Sequence, residues 1–185
     1  PRCSGAPDDP VIDPANWSDA PRTFRSKVAL AKYELIASIL TLPPDVKFKL
    51  VFYSHMVWQW PENGGLLEAT PENKNAAVDR VLSQRFTVGT QITEGLEAAW
   101  NTPDLQAMFV LSDGKPFRSR IMDPNEVARY AGDVCRRKNI VINSICYNSL
   151  VGYQNERGPA PHSPLMPALA RETNGHMIST DSCPS

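Results

Sequence analysis

Short apolar runs alternate with helical patterns along most of the chain, and this order constrains the fold more than any other feature. Residues 48–54 (FKLVFYS), 108–111 (MFVL) and 140–147 (IVINSICY) are rich in β-branched and aromatic residues and have the length of buried strands. Strands that are separated by helices require crossover connections. We therefore predict an α/β fold, a doubly wound and mostly parallel sheet with helices on both faces.

The helix boundaries are marked by local signals. The first helix is predicted over residues 23–42, where apolar residues recur at helical spacing until Pro43-Pro44 stops it. Further helices are predicted to begin at Thr70-Pro71-Glu72, at Gly89-Thr90, at Asp123-Pro124-Asn125-Glu126 and at Pro164, the last of them ending at Asn174-Gly175. Two short strands are expected over residues 57–60 and 176–179.

The domain organisation follows from the same patterns. Residues 1–22 contain five prolines and no sustained periodicity, so we interpret them as a loop or an insertion. Residues 23–180 form the predicted domain, and residues 181–185 are a short tail. No apolar run approaches the roughly 20 residues of a membrane-spanning helix. The net charge is -1 with scattered basic residues, which argues against nucleic-acid binding.

Four cysteines are present, none of them in a Cys-x-x-Cys pair, so a zinc knuckle or a thioredoxin-like motif is not indicated. Cys135 follows a helical pattern and Cys146 lies in an apolar strand, which predicts that both are buried free thiols. Cys3 and Cys183 lie in the two polar tails. A disulfide between them is one possibility in an oxidising compartment, but the sequence does not determine the connectivity.

The candidate site lies where parallel strands end, because ligands of such sheets bind outside the carboxyl ends of the strands. This places Ser54-His55, Gly89-Thr90, Ser112-Asp113-Gly114 and Tyr147-Asn148 near one edge of the sheet. Asp113 follows a buried strand, and its carboxylate beside a hydroxyl suits a hard cation such as Mg²⁺. The alternative is an Asp-Gly turn that only ends the strand.

Other kinds of site have little support. The three histidines, His55, His162 and His176, lack metal-ligand spacing, and packing is the preferred role of Trp58 and Trp60. There is no Gly-x-Ser-x-Gly elbow for a hydrolase nucleophile and no Gly-rich phosphate-binding loop.

Five segments, in order and spacing, resemble von Willebrand factor type A (VWA) domains over roughly residues 25–180. KFKLVFYSHMVWQWPENGGLLEATPENKNAAVDRV is similar to the second and third strands and the helix that follows, and its part LLEATPENKNAAVDRV resembles bacterial members. TVGTQITEGLEAAW resembles the Gly-Thr loop of the family. AMFVLSDGKP resembles the central strand with Ser-Asp-Gly. NIVINSICYN resembles the fifth strand, and LMPALARETNGHMI resembles the last helix-strand unit.

The resemblance implies a metal-ion-dependent adhesion site with ligands from three loops. The Thr of the Gly-Thr loop corresponds to Thr90 and the Asp of Ser-Asp-Gly to Asp113, with Ser112, Gly89 and His55 around the ligands or at the rim. The third motif, Asp-x-Ser-x-Ser after the first strand, does not occur in residues 1–22, which also lack an apolar strand to hold it. Either the chain is a fragment that lacks the first strand, the alternative we favour, or it is a degenerate member.

The function implied by the resemblance is the binding of a protein partner, not catalysis. Mg²⁺ or Mn²⁺ would be held partly by Thr90 and Asp113, and an acidic side chain of the partner would complete the coordination. We expect the loops around the site to select the partner, and an extracytoplasmic or cell-surface location. Two alternatives stay open, a metal-free structural domain of a larger protein and a metal-assisted hydrolase. No nucleic acid and no membrane insertion are expected.

Overall fold

The computed structural model describes residues 27–62, 64–112, 114–146 and 164–179. In chain order these residues form α1 (Lys27–Thr41), β1 (Lys47–Phe48), β2 (Leu50–Tyr53), β3 (Val57–Trp60), β4 (Leu67–Glu68), α2 (Pro71–Ser83), α3 (Ile92–Trp100), β5 (Ala107–Ser112), α4 (Pro124–Lys138), β6 (Val141–Cys146), α5 (Leu165–Glu172) and β7 (Met177–Ser179). The α/β class and the predicted alternation of helices and strands are confirmed. The predicted domain limits at 23 and 180 lie outside the described residues.

The two helix starts in which a proline follows a capping residue form as predicted. Thr70 caps α2, and its hydroxyl accepts a hydrogen bond of 3.2 Å from the amide of Asn73. Asp123 caps α4 in the same way and accepts a bond of 2.8 Å from the amide of Glu126. In both helices the proline follows the cap directly, at a position where a missing N–H costs nothing.

The strands pair in three groups within the described part of the chain. β5, β6 and β7 form a parallel sheet in that order, with Val110 opposite Ser144 and Ile145 opposite Ile178. β2 pairs antiparallel with β3, and β1 with β4. The predicted strand 48–54 is therefore divided into β1 and β2, and β4 was not predicted, because two residues are too few to give a pattern.

Among the described residues the buried side chains form two clusters. The larger cluster is contributed by α3, α4, α5, β5 and β6, with Ile142, Leu165 and Leu169 fully buried. The smaller cluster lies between β2 and the helices α1 and α2 and consists of Ile36, Ile39, Leu50, Phe52, Ala77, Val78 and Val81. Trp58 and Trp60 pack against the smaller cluster, which confirms their predicted packing role.

The last helix and strand are joined by a tight connection. Asn174 has a left-handed backbone, with a φ of 57°. Gly175 is required for a different reason, because an added Cβ would lie 2.0 Å from the Ile142 carbonyl oxygen. Thr173 ties this connection to β6, since its hydroxyl accepts a bond of 3.0 Å from the Ile142 amide and donates one of 2.8 Å to the Leu169 carbonyl.

Cys135 and Cys146 are buried and neither forms a disulfide, as predicted. Burial raises the pKa of the Cys135 thiol from 9.0 to about 11, because the apolar surroundings disfavour the thiolate. Cys3 and Cys183 lie outside the described residues. None of the described helices is long and apolar enough to cross a membrane.

Candidate functional site

Backbone hydrogen bonds bring three segments together at the carboxyl ends of β2 and β5. The amide of Thr90 donates to the carbonyl of Phe117 over 2.8 Å, and the amide of Phe117 donates to the carbonyl of Thr90 over 3.2 Å. The amide of Gln91 donates to the carbonyl of Ser54 over 3.0 Å. The Gly-Thr loop is thus held between the end of β2 and the loop after β5, at the edge where ligands of such sheets bind.

Gly89 lets the loop approach the end of β2 closely. Its φ is 151°, and an added Cβ would lie 2.8 Å from both the Cα and the amide nitrogen of His55. Side chains rarely adopt this backbone conformation, so the position favours glycine for two independent reasons. The close packing of the loop backbone against His55 therefore explains why a glycine precedes Thr90.

The end of β5 turns through Ser112 and Gly114. Ser112 is buried, its hydroxyl accepts a hydrogen bond of 3.0 Å from the amide of Gly114, and Gly114 has a φ of 75°. Asp113, the predicted ligand between them, lies outside the described residues, as do Tyr147 and Asn148. The hydrogen bond between Ser112 and Gly114 and the φ of Gly114 are those of the tight turn predicted after the strand. The carboxylate of Asp113 stays a predicted ligand.

The hydroxyl of Thr90 has the chemistry of a ligand for a hard cation. Thr90 is half-buried, and within the described part of the chain its hydroxyl oxygen makes no hydrogen bond. An oxygen donor in this environment fits Mg²⁺ or Mn²⁺ in kind. One hydroxyl is too few ligands for a complete site, and the described residues include no group of three or more His, Cys, Asp or Glu side chains that could hold a metal.

His55 lies beside the Gly-Thr loop, and its role at the rim of a ligand site stays a prediction. Its ring nitrogen Nδ1 forms a hydrogen bond with the hydroxyl of Thr87, and it lies 3.3 Å from the hydroxyl oxygen of Ser54. The imidazole is exposed and meets Trp58 edge-on, with ring centroids 5.5 Å apart. Ser54 itself is 2% exposed, which leaves its hydroxyl no access to a substrate.

A carboxylate that the sequence did not indicate fastens the loop after β5 to α3. Glu94 accepts hydrogen bonds from the hydroxyl of Ser119 at 2.7 Å and from the amide of Arg120 at 2.5 Å. The hydroxyl of Ser119 in turn accepts a bond of 3.1 Å from the amide of Thr93, near the start of α3. Because α3 also carries the Gly-Thr loop, these bonds fix Thr90 and the loop after β5 relative to each other.

A second set of contacts continues along the outer side of the same helix. Glu97 binds the guanidinium of Arg120 and accepts a bond of 2.7 Å from the phenol of Tyr130. Arg120 also lies over the Tyr130 ring, 5.1 Å from its centroid. The hydrogen bonds to Glu97 raise the pKa of both Arg120 and Tyr130 above their ordinary values. No motif predicts these contacts, because Glu97 is 23 positions from Arg120 and 33 positions from Tyr130 in the sequence.

Comparison with known proteins supports the fold. The solved structure of a von Willebrand factor type A protein from Catenulispora acidiphila superposes with a TM-score of 0.68 and 20% sequence identity, over 85% of this chain. The chain spans 35% of the length of that structure. No family model and no curated protein matches the sequence. The chain therefore has the fold of a von Willebrand factor type A domain.

Proposed function

We propose that the chain is a protein-binding module of the VWA type, and that its partner binds at the carboxyl ends of β2 and β5 with the help of a divalent cation. The observation that carries this proposal is the Thr90 hydroxyl. It makes no hydrogen bond within the described residues, although the backbone around it is fixed on both sides by bonds to Phe117 and Ser54. Oxygen donors that are held in place without a partner suit metal binding.

The surroundings of Thr90 suit a protein partner. Three exposed apolar side chains flank the site, Met56 after His55, Val88 before Gly89, and Phe117 opposite Thr90, with exposed fractions of 53%, 71% and 45%. Apolar and aromatic side chains near the centre of a surface patch are typical of protein interfaces. Loops on a rigid scaffold commonly supply such recognition, and these three side chains all lie on loops.

The cation would be held by the Thr90 hydroxyl and the Asp113 carboxylate, and it would offer a coordination position to an acidic side chain of the partner. Magnesium requires about six oxygen ligands, so these two residues are not sufficient by themselves. The Asp-x-Ser-x-Ser motif that the resemblance implies is absent from residues 1–22. We therefore expect weak cation binding by these 185 residues.

The buried Ser54 argues against a serine nucleophile, because a nucleophile has to reach its substrate. A metal-assisted hydrolase would use a metal-bound water instead, and it stays the less favoured alternative. The metal-free structural domain remains the second candidate. The small number of candidate metal ligands favours it, and it predicts that Thr90 and Asp113 bind no divalent cation.

The test is a calorimetric titration of the chain with Mn²⁺. We expect measurable heat from the unmodified protein, and its loss in Thr90→Ala and in Asp113→Ala. Thr87→Ala, which changes a threonine of the same loop, serves as the control and is expected to bind Mn²⁺ normally. Equal heats in all four proteins, or no heat with a folded protein, would favour the metal-free domain.

A further inference from the structure

A cavity of about 430 Å³ lies at the carboxyl-terminal end of α3, between this helix and the strand pair β2 and β3. Four polar side chains of the described residues line it: Lys49 directly before β2, Gln59 of β3, and Asn101 and Thr102 directly after α3. Its size falls in the range of about 300–1,000 Å³ that is usual for small-molecule sites. Thr90 lies before the other end of α3, so this cavity is separate from the candidate cation site.

The alternation of β2 explains why a lysine faces this cavity. Phe52 belongs to the smaller cluster, and successive side chains of a strand point to opposite faces. Tyr53 lies on the other face, where an added Cβ at Gly95 of α3 would come within 2.8 Å of its ring. The Tyr53 phenol also donates a hydrogen bond of 3.0 Å to the Leu111 carbonyl. Lys49, four residues before Tyr53, lies on the same face, nearer to the end of α3.

Thr102 is a buried polar residue whose hydroxyl is unpaired within the described part of the chain. It is 7% exposed, and its amide donates a hydrogen bond of 3.0 Å to the Ala99 carbonyl. Its hydroxyl makes no hydrogen bond with any described residue. Such hydroxyls are few in native proteins, because each one has given up its bonds to bulk water. A polar atom of a ligand in the cavity would satisfy the Thr102 hydroxyl.

Lys49 gives the cavity a positive charge. Its ammonium donates a hydrogen bond of 3.0 Å to the Gly64 carbonyl, which holds the side chain in place and uses one of its N–H donors. Among the described residues it forms no ion pair, and none of those that line the cavity is acidic. The partial negative charge at the end of α3 is offset from outside the cavity, because Lys138 donates a bond of 2.9 Å to the Trp100 carbonyl. The charges around the cavity therefore favour an anion.

We propose that this cavity binds a small monocarboxylate that carries hydroxyl groups, the chemistry of a sugar acid. The carboxylate accepts hydrogen bonds from the remaining N–H donors of Lys49. The ligand hydroxyls pair with the Thr102 hydroxyl and with the side-chain amides of Gln59 and Asn101, which make no hydrogen bond within the described residues. A single cation matches a single carboxylate, whereas a second carboxylate on the ligand would lie in the cavity without a charged partner.

The test is a titration of the 185-residue chain with sodium gluconate in the absence of divalent cations, followed through the backbone amide signals in NMR spectra. Gluconate carries one carboxylate at the end of a hydroxylated chain. We expect saturable shifts of the amides of Gly64, Asn101 and Thr102. Sorbitol has the same hydroxylated chain without the carboxylate. It should bind about tenfold more weakly or less, because it lacks the charged hydrogen bond to Lys49.

Two substitutions test the contacts separately. Lys49→Met removes the charge and should weaken gluconate binding about tenfold, while Lys47→Met, which changes an exposed lysine outside the cavity, should leave it unchanged. Thr102→Val removes the hydroxyl and should weaken binding about fivefold, whereas Thr102→Ser keeps the hydroxyl and should bind as the unmodified chain does. Circular dichroism checks that each variant is folded. Because Thr102→Val breaks no side-chain hydrogen bond between described residues, it tests the site even if Lys49→Met does not fold.

Three outcomes would overturn the proposal. The first is a folded chain whose amide signals show no saturable shift with gluconate. The second is binding of sorbitol as tight as that of gluconate, since the charge of Lys49 would then have no role. The third is equal affinity of the unmodified chain and Thr102→Val, which would place the ligand elsewhere. Thr90→Ala should bind gluconate normally, because Thr90 lies at the other end of α3, so this proposal and the Mn²⁺ titration fail separately.

Discussion

Thr90 and Phe117 exchange a pair of backbone hydrogen bonds, 2.8 Å from the Thr90 amide and 3.2 Å from the Phe117 amide. This pair connects the Gly-Thr loop, which follows α2, with the loop that follows β5. Both segments lie outside helices and strands, yet the pairing gives them a fixed relative position. The candidate ligand Thr90 therefore depends for its position on residues that are distant in the sequence.

Gly89 is the first residue whose replacement tests this arrangement. We expect Gly89→Ala to lower the free energy of unfolding by about 2–4 kcal/mol, because the new Cβ meets the His55 backbone and the φ of 151° is unfavourable for alanine. Urea denaturation gives the measurement. Gly65→Ala is the matched control, since nothing lies within 4 Å of its added Cβ, and its effect should stay within about 0.5 kcal/mol. Similar values for both variants would contradict the close packing of Gly89.

Glu94 provides a second test. Glu94→Ala removes the acceptor of Ser119 and of the Arg120 amide, and should cost about 1–2 kcal/mol of stability. We also expect faster hydrogen exchange of the Arg120 amide, which exchange measured by NMR would report. The control is Glu72→Ala. Glu72 is likewise an acid in the first turn of its helix, but it is exposed, so this variant separates the helix-dipole contribution from the loop contacts. Unchanged exchange at Arg120 would refute the role of Glu94.

The local part of the fold could be predicted from the sequence, because its signals lie within a few residues of one another. Thr70 and Asp123 each precede a proline and cap a helix, and both caps form. Ser112 and Gly114 form the predicted turn. In contrast, β4 pairs through only two residues, Leu67 and Glu68, and so leaves no pattern in the sequence.

The tertiary contacts of the candidate site could not be predicted, for a different physical reason. Glu94 and Ser119 are 25 positions apart, and Tyr53 and Leu111 are 58 apart. Whether such residues meet depends on how helices pack on the sheet, which a hydrophobic pattern does not specify. The sequence motif indicated Thr90 itself. Ser54 was predicted to lie at the same edge of the sheet, but the contacts made by Phe117, Glu94 and Ser119 became visible only in the structure.

Cys135 predicts a dependence of stability on alkaline pH. The folded state raises its pKa to about 11, whereas the unfolded chain loses the thiol proton near the ordinary value of 9.0. Deprotonation therefore favours unfolding, and stability should fall as the pH rises from 9 towards 11. The contribution is at most about 2–3 kcal/mol. Urea denaturation at several pH values should give a shallower decline for Cys135→Ala than for the unmodified chain, and parallel curves would contradict the prediction.

Thr173 anchors the last helix to the sheet, and its hydroxyl is the final test. It is 4% exposed, it accepts from the Ile142 amide and it donates to the Leu169 carbonyl. Thr173→Val keeps the shape but leaves the buried amide of Ile142 without this acceptor, so we expect a loss of about 1–3 kcal/mol. Thr102→Val is the control. Thr102 is also buried, at 7% exposure, but its hydroxyl has no hydrogen bond in the described part of the chain. If both variants lose the same stability in urea denaturation, the cost comes from the change to valine and not from the bond between Thr173 and β6.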